Sequence, residues 1–159
     1  MTLEGLNEDF RDLLVLLADA AVEFLVVGAY ALAFHGAPRA SGDIDLFVRP
    51  SPENARRLFD ALMRFGAPLA SAGVTAADFE QTGMVYQMGL PPRRIDLLTE
   101  ISGLGFDEAW ASRVAAEVEG RTVFFIGREA LLKNKAATGR PKDIADIARL
   151  RKLPERNDR

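Results

Sequence analysis

The sequence predicts a fold of mixed helices and strands, of α/β or α+β class. Three observations carry that reading. The stretch Val26 to Val48, VVGAYALAFHGAPRASGDIDLFV, reads as a strand, a glycine break, a short helix, a loop and a second strand. Two further apolar runs, Met84 to Gly89 and Arg93 to Thr99, flank Pro91-Pro92 and read as a strand pair joined by a rigid turn. Segments with apolar residues at helical spacing come before, between and after these strands, the economy of a sheet covered by helices.

Taken in order, Asn7 followed by Glu8 and Asp9 predicts a helix cap with acids in its first turn, and Phe10, Leu13, Leu14, Leu17 and Ala21 repeat at helical spacing. Glu23 to Val27 is β-rich and ends at Gly28, after which Ala29 to Phe34 supply one to two helical turns closed by Gly36 and Pro38. Gly42 precedes the strand Asp43 to Val48, which Pro50 and Pro52 stop. Ser51 caps a helix whose buried stripe is Ala55, Leu58, Phe59, Leu62 and Met63. Residues 66–83 are rich in small residues and predict a loop with one helical turn. Phe106 to Ala116 is expected to be helical with Trp110 buried, and Arg121 to Ile126 to be a strand. Gly127 leads into a helix that Gly139 ends, and Pro141 opens a last helix to Leu150, followed by a charged tail.

At 159 residues the chain is large enough for one domain with a real core. Its 48% hydrophobic and 27% charged composition is that of ordinary globular material. The absence of cysteine excludes disulfides, thiolate nucleophiles and sulfur-ligated zinc, and a single histidine excludes a histidine-rich metal centre. A net charge of −3 makes no demand for nucleic acid as a partner. No positively charged start precedes an apolar run, and the longest apolar stretch falls short of the roughly 20 residues that cross a bilayer. A cytoplasmic address with no membrane association is therefore expected.

Asp43 and Asp45 are the chemically pointed residues. Strand side chains alternate between faces, so the two carboxylates emerge side by side while Ile44 and Leu46 turn to the core. Aspartate is depleted in strands, and like charges on one face repel unless a proton, a hydrogen bond or a cation relieves them. Mg²⁺ suits that role, since it takes oxygen ligands from one or two carboxylates and from substrate phosphates. A plain outward-facing polar strand is the competing reading. Gly28 and Ala29 fit a metal-nucleotide site, because glycine between strand and helix lets backbone N–H groups approach phosphate. Asp96, in RIDLL, is either a lone exposed strand residue, a partner for Arg93 or Arg94, or a third functional acid.

Gly28-Ala29, thirteen further residues and then Asp43-Ile44-Asp45-Leu46 resemble the signature of the nucleotidyltransferase superfamily, which has a DNA polymerase beta type of palm. The phrases GAYALAFHG, RASGDIDL and NKAATGRPKDIADI resemble the small bacterial members related to abortive-infection toxins and minimal nucleotidyltransferases. The resemblance runs from about Val26 to Leu150. It implies an α+β palm, a mixed β-sheet flanked by helices, with a small C-terminal helical cap. On that plan residues 1–159 form a single domain, with the palm at about 1–126 and the C-terminal helices at about 127–152.

The resemblance also implies the site. Asp96 becomes the third carboxylate, so that Asp43, Asp45 and Asp96 are catalytic and hold Mg²⁺ or Mn²⁺. Gly28, Ala29, Arg39, Ser41, Lys135 and Lys142 become contacts to a nucleoside triphosphate, although Ala29 stands where the family usually has glycine or serine. The implied reaction moves a nucleoside monophosphate to a hydroxyl of tRNA, of a protein or of a small molecule such as an aminoglycoside, and a cognate toxin or antitoxin is an implied partner. An inactive binding module of the same fold and a metal-dependent phosphohydrolase or nuclease are the alternatives. Residue by residue, blander roles compete: His35 as a helix-end histidine bonded to backbone, Lys133, Lys135, Arg140 and Lys142 as a solvated basic face, Asp143 as a helix-dipole acid, and Asp146 as a partner of Lys142.

Overall fold

The computed structural model describes residues 6–38 and 42–154. Arg39, Ser41 and most of the charged tail lie outside the described residues. The chain runs α1 (Glu8–Asp19), β1 (Phe24–Val27), α2 (Gly28–Phe34), β2 (Ile44–Val48), α3 (Pro52–Phe65), a 3₁₀ turn (Ala76–Glu80), β3 (Val85–Met88), β4 (Ile95–Leu98), α4 (Phe106–Ala111), β5 (Val114–Val118), β6 (Arg121–Phe125), α5 (Arg128–Thr138) and α6 (Pro141–Arg151). A six-stranded mixed sheet in the order β3-β4-β2-β1-β6-β5 holds it together. The expected α+β class, a mixed sheet flanked by helices, is what forms.

The central strands explain why the sheet is the core. All four residues of β1 are buried, as are four of the five in β2, so both faces of these strands are covered. β1 runs antiparallel to β2 and parallel to β6, whereas β2 runs parallel to β4. β1 and β6 therefore finish at the end of the sheet where β2 and β4 begin. That shared end is where the polar residues of the sheet collect.

Local chemistry sets the helix boundaries. Asn7 caps α1 through its side-chain oxygen, which accepts from the Phe10 N–H at 2.9 Å, and Phe10, Leu13, Leu14 and Leu17 are buried. Ser51 caps α3 and accepts from the Asn54 N–H. Asn54 is itself buried: its Oδ1 accepts from the Glu23 N–H at 2.7 Å, and its Nδ2 donates to the carbonyls of Glu23 and Arg49, each at 3.0 Å. One side chain thus satisfies three backbone groups where β1 starts and β2 ends. His35, at the end of α2, places Nε2 2.8 Å from the carbonyl oxygen of Ile126, a backbone partner as expected but one that is distant in sequence.

Three local expectations are corrected. The helix beginning at Phe106 stops at Ala111, and residues 114–118 form a strand paired with β6 in a hairpin. Glu119 and Gly120 both take positive φ there, the conformation of a tight turn whose twist suits two antiparallel strands. Trp110 is half-buried, stacked on Phe106 with ring centroids 5.5 Å apart and with the Arg113 guanidinium over its ring. Met63 is 61% exposed rather than part of the α3 stripe, whose buried apolar residues are Ala55, Leu58, Ala61 and Leu62. No described helix is long and apolar enough to cross a membrane.

Candidate functional site

The aspartates meet at the polar end of the sheet because of strand register. Asp45 in β2 and Asp96 in β4 are direct partners across the parallel pair, so their side chains leave the same face. Asp43 lies just before β2, and its Oδ1 accepts the backbone N–H of Arg94 at 3.1 Å. Gly42 allows this approach, since a Cβ there would stand 2.0 Å from the carbonyl oxygen of Pro92. Gly28 lies on the other side of Asp45. It has φ +64°, and a Cβ on it would come within 2.2 Å of Asp45 Oδ2.

All three aspartates line one cleft of about 460 Å³ together with Gly28, Ala29, Arg94, Lys135, Arg140 and Lys142. The structure therefore brings together every expected site residue that falls among those described. Residues of β2, β4 and the start of α2 supply one wall and the α5–α6 hairpin the other.

Arg94 dominates the electrostatics. Its Nε donates to Asp96 Oδ1 at 2.8 Å and its Nη2 to Asp96 Oδ2 at 3.2 Å, while Nη2 also lies 3.4 Å from Asp43 Oδ2. One guanidinium does not neutralise three acids. Burial, then a hydrogen bond shared with Asp96, then the charges of Asp96 and Asp43 push the Asp45 carboxyl up to about 7, with Arg94 offsetting only part of the rise.

The helical wall holds a second charged group. Lys135 is 5% exposed and places Nζ 3.3 Å from Asp143 Oδ1 and 3.1 Å from Asp146 Oδ2; the two aspartates are 0% and 2% exposed. Asp143 also accepts from Thr138 Oγ1 at 2.6 Å and from Arg140 Nε at 2.6 Å. Burial alone would raise its pKa, but the bonds from Arg140, Thr138 and Lys135 outweigh burial and hold it well below the usual carboxylate range. Asp146 thus pairs with buried Lys135, not with exposed Lys142, and Asp143 does far more than complement a helix dipole.

Sequence reasoning missed Arg94 and Arg140 as members of the site. The signal for Arg94 was present, since residues two apart in a strand share a face and Arg94 precedes Asp96 by two. Arg140 was noted only as part of a basic stretch, and its place in the cleft depends on the turn between α5 and α6.

The family described as "Nucleotidyl transferase of unknown function (DUF2204)" matches residues 6–158. The chain belongs to this nucleotidyl transferase family. Two solved structures share its fold. One is a protein from Thermotoga maritima assigned as a nucleotidyltransferase, 14% identical, with a TM-score of 0.56 over 90% of this chain and 88% of that one. The other is an antigenic nucleotidyltransferase-like protein from Paracoccidioides brasiliensis, 15% identical, with a TM-score of 0.50 over 96% of this chain and 79% of that one. No curated protein sequence matches the chain.

For a divalent ion, the donors in this family member are of the right kind. Carboxylate oxygens converge from two strands, where burial raises the Asp45 carboxyl first and the neighbouring Asp96 and Asp43 add to the rise. They do not form a closed cage: among the described residues, no group of three His, Cys, Asp or Glu side chains is arranged to hold a metal ion. The Arg94 guanidinium stands between Asp43 and Asp96 instead.

Proposed function

We propose that this nucleotidyl transferase moves a nucleoside monophosphate from a nucleoside triphosphate to a hydroxyl acceptor, with Mg²⁺ or Mn²⁺ held by Asp43, Asp45 and Asp96. The observation that carries the proposal is the matched register of Asp45 and Asp96 on neighbouring parallel strands, beside Asp43 and against Gly28. When bound, the divalent ion supplies charge neutralisation at the α-phosphate and lowers the pKa of the attacking hydroxyl.

The chain's own groups do the rest. Gly28 and Ala29 offer backbone N–H groups at the start of α2 without a side chain between them and the phosphates. Lys142 and Arg140, on the opposite wall, neutralise the triphosphate from the other side, while Lys135 holds that wall in place. Arg39 and Ser41, which precede Asp43 in sequence, are proposed as further phosphate contacts. The acceptor oxygen attacks phosphorus in line, the bond to the β-phosphate breaks, and pyrophosphate leaves with the electron pair. Asp96 takes the hydroxyl proton as general base.

The acceptor is a hydroxyl of tRNA, of a protein or of a small molecule, and a role as one half of a toxin and antitoxin pair belongs to the same proposal. The test is incubation of the whole chain with α-phosphate-labelled nucleotides, Mg²⁺ and total cellular RNA and protein. Label retained by wild type and lost with Asp96→Asn supports the proposal. Label absent from every fraction, or unchanged by Asp96→Asn, overturns it.

A second reading, a nucleotide-binding module without transfer activity, is favoured by Ala29 and by the guanidinium seated on two of the three acids. It predicts nucleotide binding, read as a thermal shift, with no retained label.

A further inference from the structure

We propose that Arg94 is a substrate-phosphate ligand that rests on Asp43 and Asp96 until a divalent cation takes its place. The inference depends on the metal-nucleotide reading above and extends it to a residue that reading did not use.

The geometry sets up a competition. Arg94 spans the two strands, with Nε 2.8 Å from Asp96 Oδ1 and Nη2 3.4 Å from Asp43 Oδ2. Those carboxylates are the ones the metal reading above gives to a shared cation. A guanidinium and a divalent ion draw on the same carboxylate charge, so binding of one weakens the hold of the other. Charge favours the ion, since arginine brings one positive charge on a broad plane and a divalent ion brings two in a much smaller volume.

Release needs no change of fold. The backbone at Arg94 is fixed, its N–H donating to Asp43 Oδ1 at 3.1 Å and its carbonyl accepting from the Ile44 N–H at 3.0 Å. The side chain is 29% exposed and turns about several single bonds. It lines the same cleft as Gly28, Ala29, Arg140 and Lys142. Freed from the acids, its fork of N–H donors remains among the groups that face the phosphates and matches phosphate oxygens in a bidentate way. Arg94 therefore has two successive partners, carboxylate before the metal and phosphate after it.

The test titrates Mn²⁺ into the whole chain without nucleotide, read by the loss of the free-ion paramagnetic resonance signal. It then measures binding of a non-hydrolysable α,β-methylene triphosphate analogue at saturating Mn²⁺. Arg94→Gln is expected to bind Mn²⁺ about tenfold more tightly than wild type and the analogue about tenfold more weakly, the scale of one partly buried charge pair. Arg94→Lys should fall between on both readouts, and it carries the test if the glutamine variant does not fold. Equal or weaker Mn²⁺ binding by the variants overturns the inference while leaving the metal reading intact, as does unchanged analogue affinity. No Mn²⁺ binding by any folded form sinks the metal reading and this inference with it.

Discussion

The Asp45 carboxylate lies against the bare Cα of Gly28, so close that a Cβ there would stand 2.2 Å from Oδ2. Gly28 also has φ +64°, a backbone state that side-chain-bearing residues rarely adopt. The two constraints act together, and substitution must move either the start of α2 or the acid. Gly28→Ala is expected to cost about 2–3 kcal/mol of stability and to displace Asp45 from the cluster. Gly66→Ala is the control, because Gly66 has a similar φ of +90° and open space around it; it should cost only about 1 kcal/mol. Urea denaturation of both variants decides the point, and equal losses would contradict the contact with Asp45.

The raised Asp45 carboxyl makes stability depend on pH. Its folded value of about 7 lies above the ordinary 3.8, so across that interval the native state holds a proton that the unfolded chain releases. Stability from this group is greatest in acid and falls as pH rises from about 4 to about 7, then levels off. Asp45→Asn removes the penalty. At pH 8 in metal-free buffer the variant should be more stable than wild type, on the order of 2 kcal/mol, with no such gain near pH 4. Matching melting curves at pH 8 would show that Asp45 ionises without cost.

Lys135 and Lys142 share the cleft and should separate cleanly under mutation. Lys135→Met leaves two buried aspartates without their common cation and is expected to cost about 3–5 kcal/mol. Lys142 is exposed, so Lys142→Ala should change stability by less than about 0.5 kcal/mol while weakening triphosphate binding several-fold. Chemical denaturation together with nucleotide titration checks both. A mild effect at Lys135 would mean that Arg140 and Arg149, already beside Asp143 and Asp146, are partners enough.

Asn54 is expected to be a stability residue with no part in chemistry. Asn54→Ala strips the partners from three backbone groups around Glu23 and Arg49 and should cost about 2–4 kcal/mol. Nucleotide affinity, measured well below the melting transition, should be unchanged. A matching fall in affinity would place the β1–β2 end opposite the cleft under functional constraint.

Much of this protein is legible in one dimension because the signals are local. Asn7 and Ser51 cap helices with their own side chains, Pro52 and Pro141 sit at helix starts, and Gly139 ends α5. The alternation of Asp43, Ile44, Asp45 and Leu46 required only the period of a strand. Strand β5 was misread because VAAEV is small, half exposed and lacks a run of branched residues; pairing with β6 overrides its weak propensity. Met63 kept the helical spacing of its stripe but faces solvent, since spacing gives the stripe's direction and not its width.

By itself the sequence determined most of the element types, the caps and breaks, the aspartate pair with its glycine, and the resemblance to the nucleotidyltransferase superfamily. Only the tertiary structure decided what neutralises what. It seated Arg94 between Asp43 and Asp96, put Asp45 beside Asp96, and buried Lys135 between Asp143 and Asp146. Charge pairing depends on distances of a few Å between residues far apart in the chain. Those distances follow from sheet register and helix packing, which local sequence does not encode.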